Sequence, residues 1–486
     1  MAGLTEIIKE AGIVGCGGAG FPTHAKYSGG PVETIIVNGA ECEPLLQTDR
    51  YLMRNCARKL IRTADRIKEE TGAKEFIIAL KAAYTREIES LERAIEELGS
   101  SVKLHKLQSF FPAGDEQTIV YEVTGRVVPP AAIPLSVGCV VSNVATIYGI
   151  GDAFEGEPFT RKFLTVTGEV AHPTILRVPV GTPVSECIAL AGGTHLSRFI
   201  VVNGGPMMGK MIPMEEVPNS YVTKTMSGLI VLPEDSAIAR RNQVTVKHMI
   251  NQAKSACIQC SFCSQMCPRA LLGHPIRPNK IMRKLSSGTP IGEMLNDPDV
   301  RNAALCCECG ICEIYACPMG LKPRTVNSML KKELAKAGIR YQRPEGVEYT
   351  ALPEREMRKA PTERVAARAG VGAYENLKID DFFSVNPEEA GCVRLSLRQG
   401  IGAPSVPTVK DGDPVKAGER IAACPEKSLG SELHASVSGT VSIDPDGAYI
   451  EIRTGVMKNR NRKRCGDSRQ SGRIKESGYS GSDRNS

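Results

Sequence analysis

The chain has 486 residues, more than one hydrophobic core can serve, so three or four domains are expected. Hydrophobic residues make up 42% and charged residues 24%, and no apolar run approaches the ~20 residues of a membrane span, which excludes direct membrane insertion. The net charge of +7 is concentrated at one end: Val456 to Ser486 carry nine Lys/Arg against three Asp/Glu, leaving 52 basic and 51 acidic residues elsewhere. A nearly neutral body excludes nucleic acid as the main partner, and residues 456–486, poor in apolar side chains, are predicted to form a disordered basic tail.

In chain order, MAGLTEIIKEAG reads as a short helix rather than an export signal, which predicts a cytoplasmic protein. GIVGCGGAGFPTHAKY follows, with Gly15, Gly17, Gly18 and Gly20 packed into six residues. Glycines at this density let backbone N–H groups close on a phosphate, with Lys26 adding charge, although such loops are common by chance. Next come a strand (TIIVNGA), a helix with Cys56, Leu60, Ile61, Ala64 and Ile67 on one face, a second strand (FIIAL) and the charged helix REIESLERAIEEL. This alternation predicts a parallel, Rossmann-like α/β sheet with ligands beyond the strand ends. From Phe163 to Gly193 the order is strand, strand, turn and helix, and in the NGGPMMGKM that follows the methionines are expected to pack rather than to ligate.

Seventeen cysteines without an export signal argue for metal rather than disulfides. CIQCSFCSQMCP places Cys257, Cys260, Cys263 and Cys267 in a C-x2-C-x2-C-x3-C-P run, and CCECGICEIYACP repeats it with Cys306, Cys309, Cys312 and Cys317, the last gap one residue longer. Two such runs predict two [4Fe–4S] clusters: three thiolates wrap one cluster while the fourth reaches across to the other. Cys257, Cys260, Cys263 and Cys317 then hold one, and Cys306, Cys309, Cys312 and Cys267 the other. Zinc ribbons lack the third C-x2-C step and the trailing Cys-Pro. Cys307, next to a ligand, is read as a spare thiol. NKIMRKL between the runs reads as a helix, 346–378 as a charged linker or helix, and Val393 to Ile452 as short β runs with Gly412 and Gly439 at turns.

GCGGAGFPTHAKY, NGAECEP, PAGDEQ and SNVAT, in that order, resemble the flavin- and NADH-binding signature shared by the NADH-oxidising subunit of complex I and RnfC-like proteins. The resemblance implies noncovalent FMN held by the glycine loop (Gly15, Gly17, Gly18, Gly20, Phe21) with Lys26, Asn38, Asn143 and Thr146. It also implies a flavin and nicotinamide pocket lined by Glu41, Glu43, Asp115 and Glu116, with Glu41 and Glu116 as the catalytic candidates. Two aromatic positions of that signature are Gly29 and Ala131 or Ala132 here, so adenine stacking is weakened or differently supplied.

The full domain order is similar to the PduS-type corrin reductase branch of the RnfC-like family. It comprises an FMN/NADH α/β domain (1–155), a β-grasp SLBB domain (156–235), a helical double-cluster ferredoxin domain (236–345), the linker, and an all-β barrel-sandwich hybrid (379–455). This order implies an NADH-dependent oxidoreductase that passes single electrons to a redox partner protein or corrinoid enzyme in a larger complex, in the setting of a bacterial microcompartment. Two alternatives are the same module in a methylenetetrahydrofolate or proline reductase system, and a relay that has lost its nucleotide site.

Overall fold

The computed structural model describes residues 3–455; the tail at 456–486 lies outside the described residues. Four strands, Lys103–Leu107, Glu75–Lys81, Thr34–Gly39 and Cys139–Asn143, make a parallel sheet in that spatial order, with Thr34 facing both Glu75 and Cys139. Ile35, Ile36 and Val37 are at most 2% exposed because helices cover both faces, the condition under which a strand reads as a continuous apolar run. Helix Ala57–Thr71 buries Leu60, Ile61, Ala64 and Ile67 against the sheet and stops at Gly72, whose φ of 67° ends the helix in the left-handed region. Each such large side chain contributes about 1.5–3 kcal/mol by leaving water.

The second domain is a six-stranded sheet in the order Phe382–Ser384, Thr174–Pro179, Arg161–Gly168, Gly228–Pro233, Phe199–Asn203, Lys210–Pro213. Helix Val184–Leu190 packs Val184, Cys187 and Ile188 on it. Its first strand comes from far along the chain, so the C-terminal part is stitched into this domain. Residues 346–378, expected as a charged linker or helix, include a helix and a short strand. Ala360–Pro361 pairs with Phe110–Phe111 of the α/β domain, and helix Thr362–Ala369 buries Val365, Ala366 and Ala369 beside Ile230, Ile238 and Ile311. The charged residues Glu363, Arg364 and Arg368 of this helix face outward, and they dominate the composition.

Short helices carry both cysteine runs, and the expected helix between them spans Pro278–Ser286, burying Ile281, Met282 and Leu285. The C-terminal module sandwiches a four-stranded sheet (Cys392–Ser396, Tyr449–Arg453, Gly439–Ile443, Pro414–Val415) against a three-stranded one around Val393, Leu395, Ile421, Leu433 and Ile452. Among the described residues no helix is long and apolar enough to cross a membrane.

Candidate functional site

The glycine loop is a closed turn. Val14 bridges Pro22, and Gly15 N donates to Phe21 O at 2.9 Å. Two residues at and just after the end of strand Cys139–Asn143 fix it: Thr146 Oγ1 accepts from Cys16 N at 3.0 Å, and Asn143 stands so close to Gly17 that a Cβ there would lie 3.3 Å from its own. Gly17, Gly18 and Ala19 are exposed, and their N–H groups have no protein acceptor among the described residues. Gly18 has φ 149° and open space where a side chain would be. A bent run of free donors beside a helix start suits a phosphate, so these residues fit the FMN their sequence implies.

Around this loop the sequence-predicted residues fall into two groups. Lys26 Nζ donates to Glu116 Oε1 and to Val141 O, both at 2.9 Å, and Asn38 Nδ2 donates to Gly114 O at 2.8 Å. Lys26 and Asn38 therefore tie the PAGDEQ turn to the sheet ends. Asp115 caps helix Glu116–Thr124 and is half of a buried ion pair with Arg269, 2.9 Å away in the cysteine-bearing domain. Arg269 also donates to Gln117 Oε1 at 2.6 Å. The sequence did not expose Arg269; its place two residues after Cys267 is the only signal.

Glu41 and Glu43 line a cavity of about 310 Å³ with Arg50, Lys81, Tyr84 and, from the ordered strap, Glu375. Burial pushes the Glu41 carboxyl well above its ordinary range, and the nearby Asp49 charge pushes it further. Asp49, a residue the motifs did not flag, is itself raised to about 6 by burial, against the hydrogen bond it takes from Asn143 Nδ2 at 2.6 Å. Glu43 is raised to about 7 by burial, partly offset by N–H donors of Met207 and Met208. Its Oε2 accepts from Met207 N at 2.9 Å, whereas the buried Oε1 has no partner among the described residues, leaving an acceptor unsatisfied. Met207 is 2% exposed and packs with Cys309, as expected of a packing methionine. A Cβ at the exposed Gly29 would come within 2.5 Å of Leu135 Cδ2, so a side chain there requires Leu135 to move.

A carboxyl raised from 4.5 to about 7 stabilises the fold while protonated and loses that contribution as pH rises through 7, an effect of about 3 kcal/mol at full burial. Glu43→Gln removes the ionisation. Calorimetry of the holoprotein should show the variant melting a few degrees above wild type at pH 8, with about half that offset or less near pH 5.5, because the contribution is lost between the unfolded value of 4.5 and the folded value of about 7. An equal offset at both values would mean that Glu43 does not titrate in this window.

The two cysteine runs share a backbone signature. Gln259 and Ser261 have φ of 56° and 65°, and Glu308 and Gly310 have 59° and 83°, so the chain curls the same way around Cys260 and Cys309. In that register Cys306 matches Cys257 and Cys307 matches Ile258. Cys263 is within electrostatic reach of Cys317, Cys260 and Cys257. Cys312 is within reach of Cys306 and Cys267, and Cys267 of Cys307 and Cys306. The fourth cysteine of each run thus stands with the other run. N–H groups approach the sulfurs: Glu308 N to Cys306 at 3.4 Å, Leu321 N to Cys317 at 3.3 Å.

Among the described residues no three His, Cys, Asp or Glu converge tightly enough for a single ion, and a cubane spreads its four ligands more widely. Burial holds Cys263 and Cys267 at about 12 and Cys306 at about 11, so cluster assembly must displace thiol protons. Cys307 lies near Cys309, Asp115 and Arg269 and within reach of Cys267 and Cys306, so only the register between the runs sets it apart as the spare thiol. Cys307→Ser should leave about eight iron atoms per reconstituted chain, whereas Cys260→Ser or Cys309→Ser should leave about four. Loss of iron from the Cys307 variant would reverse the assignment of Cys306.

A flavin-type phosphate loop, joined through Asp115 and Arg269 to a segment with two sets of four cysteines, defines an electron-transferring iron–sulfur flavoprotein. Profiles of four families match in chain order: Nuo51 FMN-binding domain at residues 8–152, SLBB domain at 163–210, 4Fe-4S dicluster domain at 256–322, and RnfC Barrel sandwich hybrid domain at 385–446. The chain is 40% identical over 454 residues to "Cobalamin reductase PduS" of Citrobacter freundii, covering 93% of this chain and 96% of that one. It is 39% identical over 456 residues to the Salmonella typhimurium protein of the same name, with the same coverage. It is 33% identical over 270 residues to a component of the Na(+)-translocating ferredoxin:NAD(+) oxidoreductase complex of Acetobacterium woodii, covering 54% of this chain and 57% of that one. The chain belongs to the PduS cobalamin reductase family and is an oxidoreductase carrying FMN-binding and [4Fe–4S] dicluster domains.

Proposed function

We propose that this chain oxidises NADH and delivers the electrons singly to cobalamin on a B12-dependent enzyme. When bound, FMN supplies the exchange between a two-electron hydride and single electrons, and the clusters carry single electrons onward. The chain's own residues provide the rest. Gly17, Gly18 and Ala19 donate to the flavin phosphate; Glu41 and Glu43 accept from ribose or carboxamide groups; Lys26 and Glu116 close the pocket edge. The observation that carries the reading is the buried Arg269 bridge, which joins the PAGDEQ turn of the flavin site to the residue after Cys267-Pro268. The names of the two relatives that span nearly the whole chain support cobalamin as the acceptor.

The resemblance to the PduS-type branch also supports work inside a bacterial microcompartment, and mass spectrometry of an anaerobic purification should recover shell proteins and a B12 enzyme. The test of the reaction is anaerobic: reconstituted protein with one FMN and about eight iron atoms should reduce cob(III)alamin with NADH. Full cofactor content with no NADH-dependent reduction of cobalamin would leave the fold and remove the function.

A further inference from the structure

The two cysteine sets differ in exposure. In one set Cys267, Cys309 and Cys312 are buried and Cys306 half-buried; in the other Cys317 is buried, Cys257 and Cys263 are half-buried and Cys260 is exposed, and Ile258 and Phe262 beside it are 62% and 44% exposed. Met319, two residues after Cys317, is 41% exposed. Large apolar side chains around an accessible ligand make a contact surface rather than a random scatter. The charge around them has one sign. Between Asp235 and Glu293 the sequence contains no Asp or Glu and nine Lys/Arg. Arg269 is used internally, and Lys280 and Lys284 pair with Asp299 and Asp297. Lys254, one turn before Cys257, and Arg283 are exposed and have no carboxylate partner among the described residues. The Arg358 guanidinium lies 6.0 Å from the Phe262 ring.

We propose that this face, apolar at Cys260 and ringed by cations, is the electron exit, and that its occupant is an acidic surface of the protein that receives the electrons. The inference rests on the proposed electron path and adds its terminus. A second copy of this chain presents the same positive face and is repelled, and the basic segment 456–486 is no better matched. The apolar centre favours a protein over a nucleic acid, whose phosphates would meet only the rim. One electron crosses and no bond forms, as in the small, transient interfaces of redox pairs.

The test uses cofactor-loaded full-length protein, with oxidised flavodoxin as a small acidic probe and oxidised mitochondrial cytochrome c as a basic one. Calorimetry at low salt should detect flavodoxin and not cytochrome c, and about 0.3 M salt should weaken the flavodoxin complex at least about tenfold. Carbodiimide, which joins carboxylates to amines, should cross-link flavodoxin at Lys254. Lys254→Glu with Arg283→Glu should weaken binding about tenfold at unchanged iron content. Arg358→Glu, outside the cysteine domain, serves if the double variant loses iron. Three results would each overturn the inference: no flavodoxin binding at low salt, binding insensitive to these charges, or tighter binding of an oligonucleotide to the same residues. Failure of the electron path would show separately, as clusters that NADH does not reduce.

Discussion

Gly400→Val, in the C-terminal barrel, is expected to release FMN from the opposite end of the sequence. A Cβ at Gly400 would lie 2.2 Å from Gly20 O, and one at Gly20, whose φ is 69°, would lie 2.8 Å from Gly400 Cα. Ile401 N donates to Ala19 O at 3.1 Å, so the barrel grips the glycine loop at Ala19 and Gly20, the residues that follow Gly17 and Gly18. The other flank is held as well. Lys224 is fully buried, its Nζ donates to Gly12 O at 2.6 Å and to Glu432 O at 2.8 Å, and its N donates to Gln399 Oε1.

Two backbones this close cannot admit a valine, so the loop must move, and donors aimed at a phosphate lose alignment with it. FMN affinity should fall about 100-fold, or about 2.7 kcal/mol, in fluorescence titrations. Gly18→Val should do the same for a different reason, a φ of 149° that disfavours any side chain and a Cβ in the space left for the ligand. Thr440→Val, exposed on the same barrel, should bind FMN like wild type. A folded Gly400→Val protein retaining FMN at wild-type affinity would show that the barrel does not set the loop.

The cysteine runs and the parallel sheet were legible because both are local. Ligand spacing is written in consecutive residues, and the alternation of TIIVNGA, FIIAL and their helices needs no knowledge of partners. The Gly20–Gly400 contact, the Lys224 knot and the Asp115–Arg269 pair join residues far apart in sequence, and each half alone reads as a loop glycine or a surface charge. Asp49 was hidden for a related reason: TDRYLMRN looks like an ordinary amphipathic helix, and only the fold brings its carboxylate under Asn143. The strap at 346–378 was masked by composition, because Val365, Ala366 and Ala369 are outnumbered by charged neighbours that face water. Ligand spacing already favoured Cys306 over Cys307, and the repeated left-handed residues give the two runs the same register.

The buried and exposed cysteine sets give the electron path an order that can be read from variants. Arg269 fixes the set of Cys267, Cys306, Cys309 and Cys312 against the flavin turn, and the set of Cys257, Cys260, Cys263 and Cys317 reaches solvent at Cys260. Removing the buried-side cluster with Cys309→Ser should leave anaerobic bleaching of bound FMN by NADH within about twofold of wild type, because hydride transfer precedes any one-electron step. Cobalamin reduction should fall about 100-fold or more, and the remaining cluster should no longer be reduced by NADH while still being reduced by dithionite. Cys260→Ser should differ: NADH should still reduce the remaining, buried cluster, and only delivery to the acceptor should fail. Glu43→Gln should invert the pattern, with slow bleaching by NADH and normal reduction of both clusters by dithionite, since the proposed role of this group is on the nucleotide side. Spectra of the three variants after one NADH addition separate these outcomes. Reduction of the exposed cluster by NADH in Cys309→Ser would mean that electrons reach it without the buried one, and the order drawn from Arg269 would be wrong.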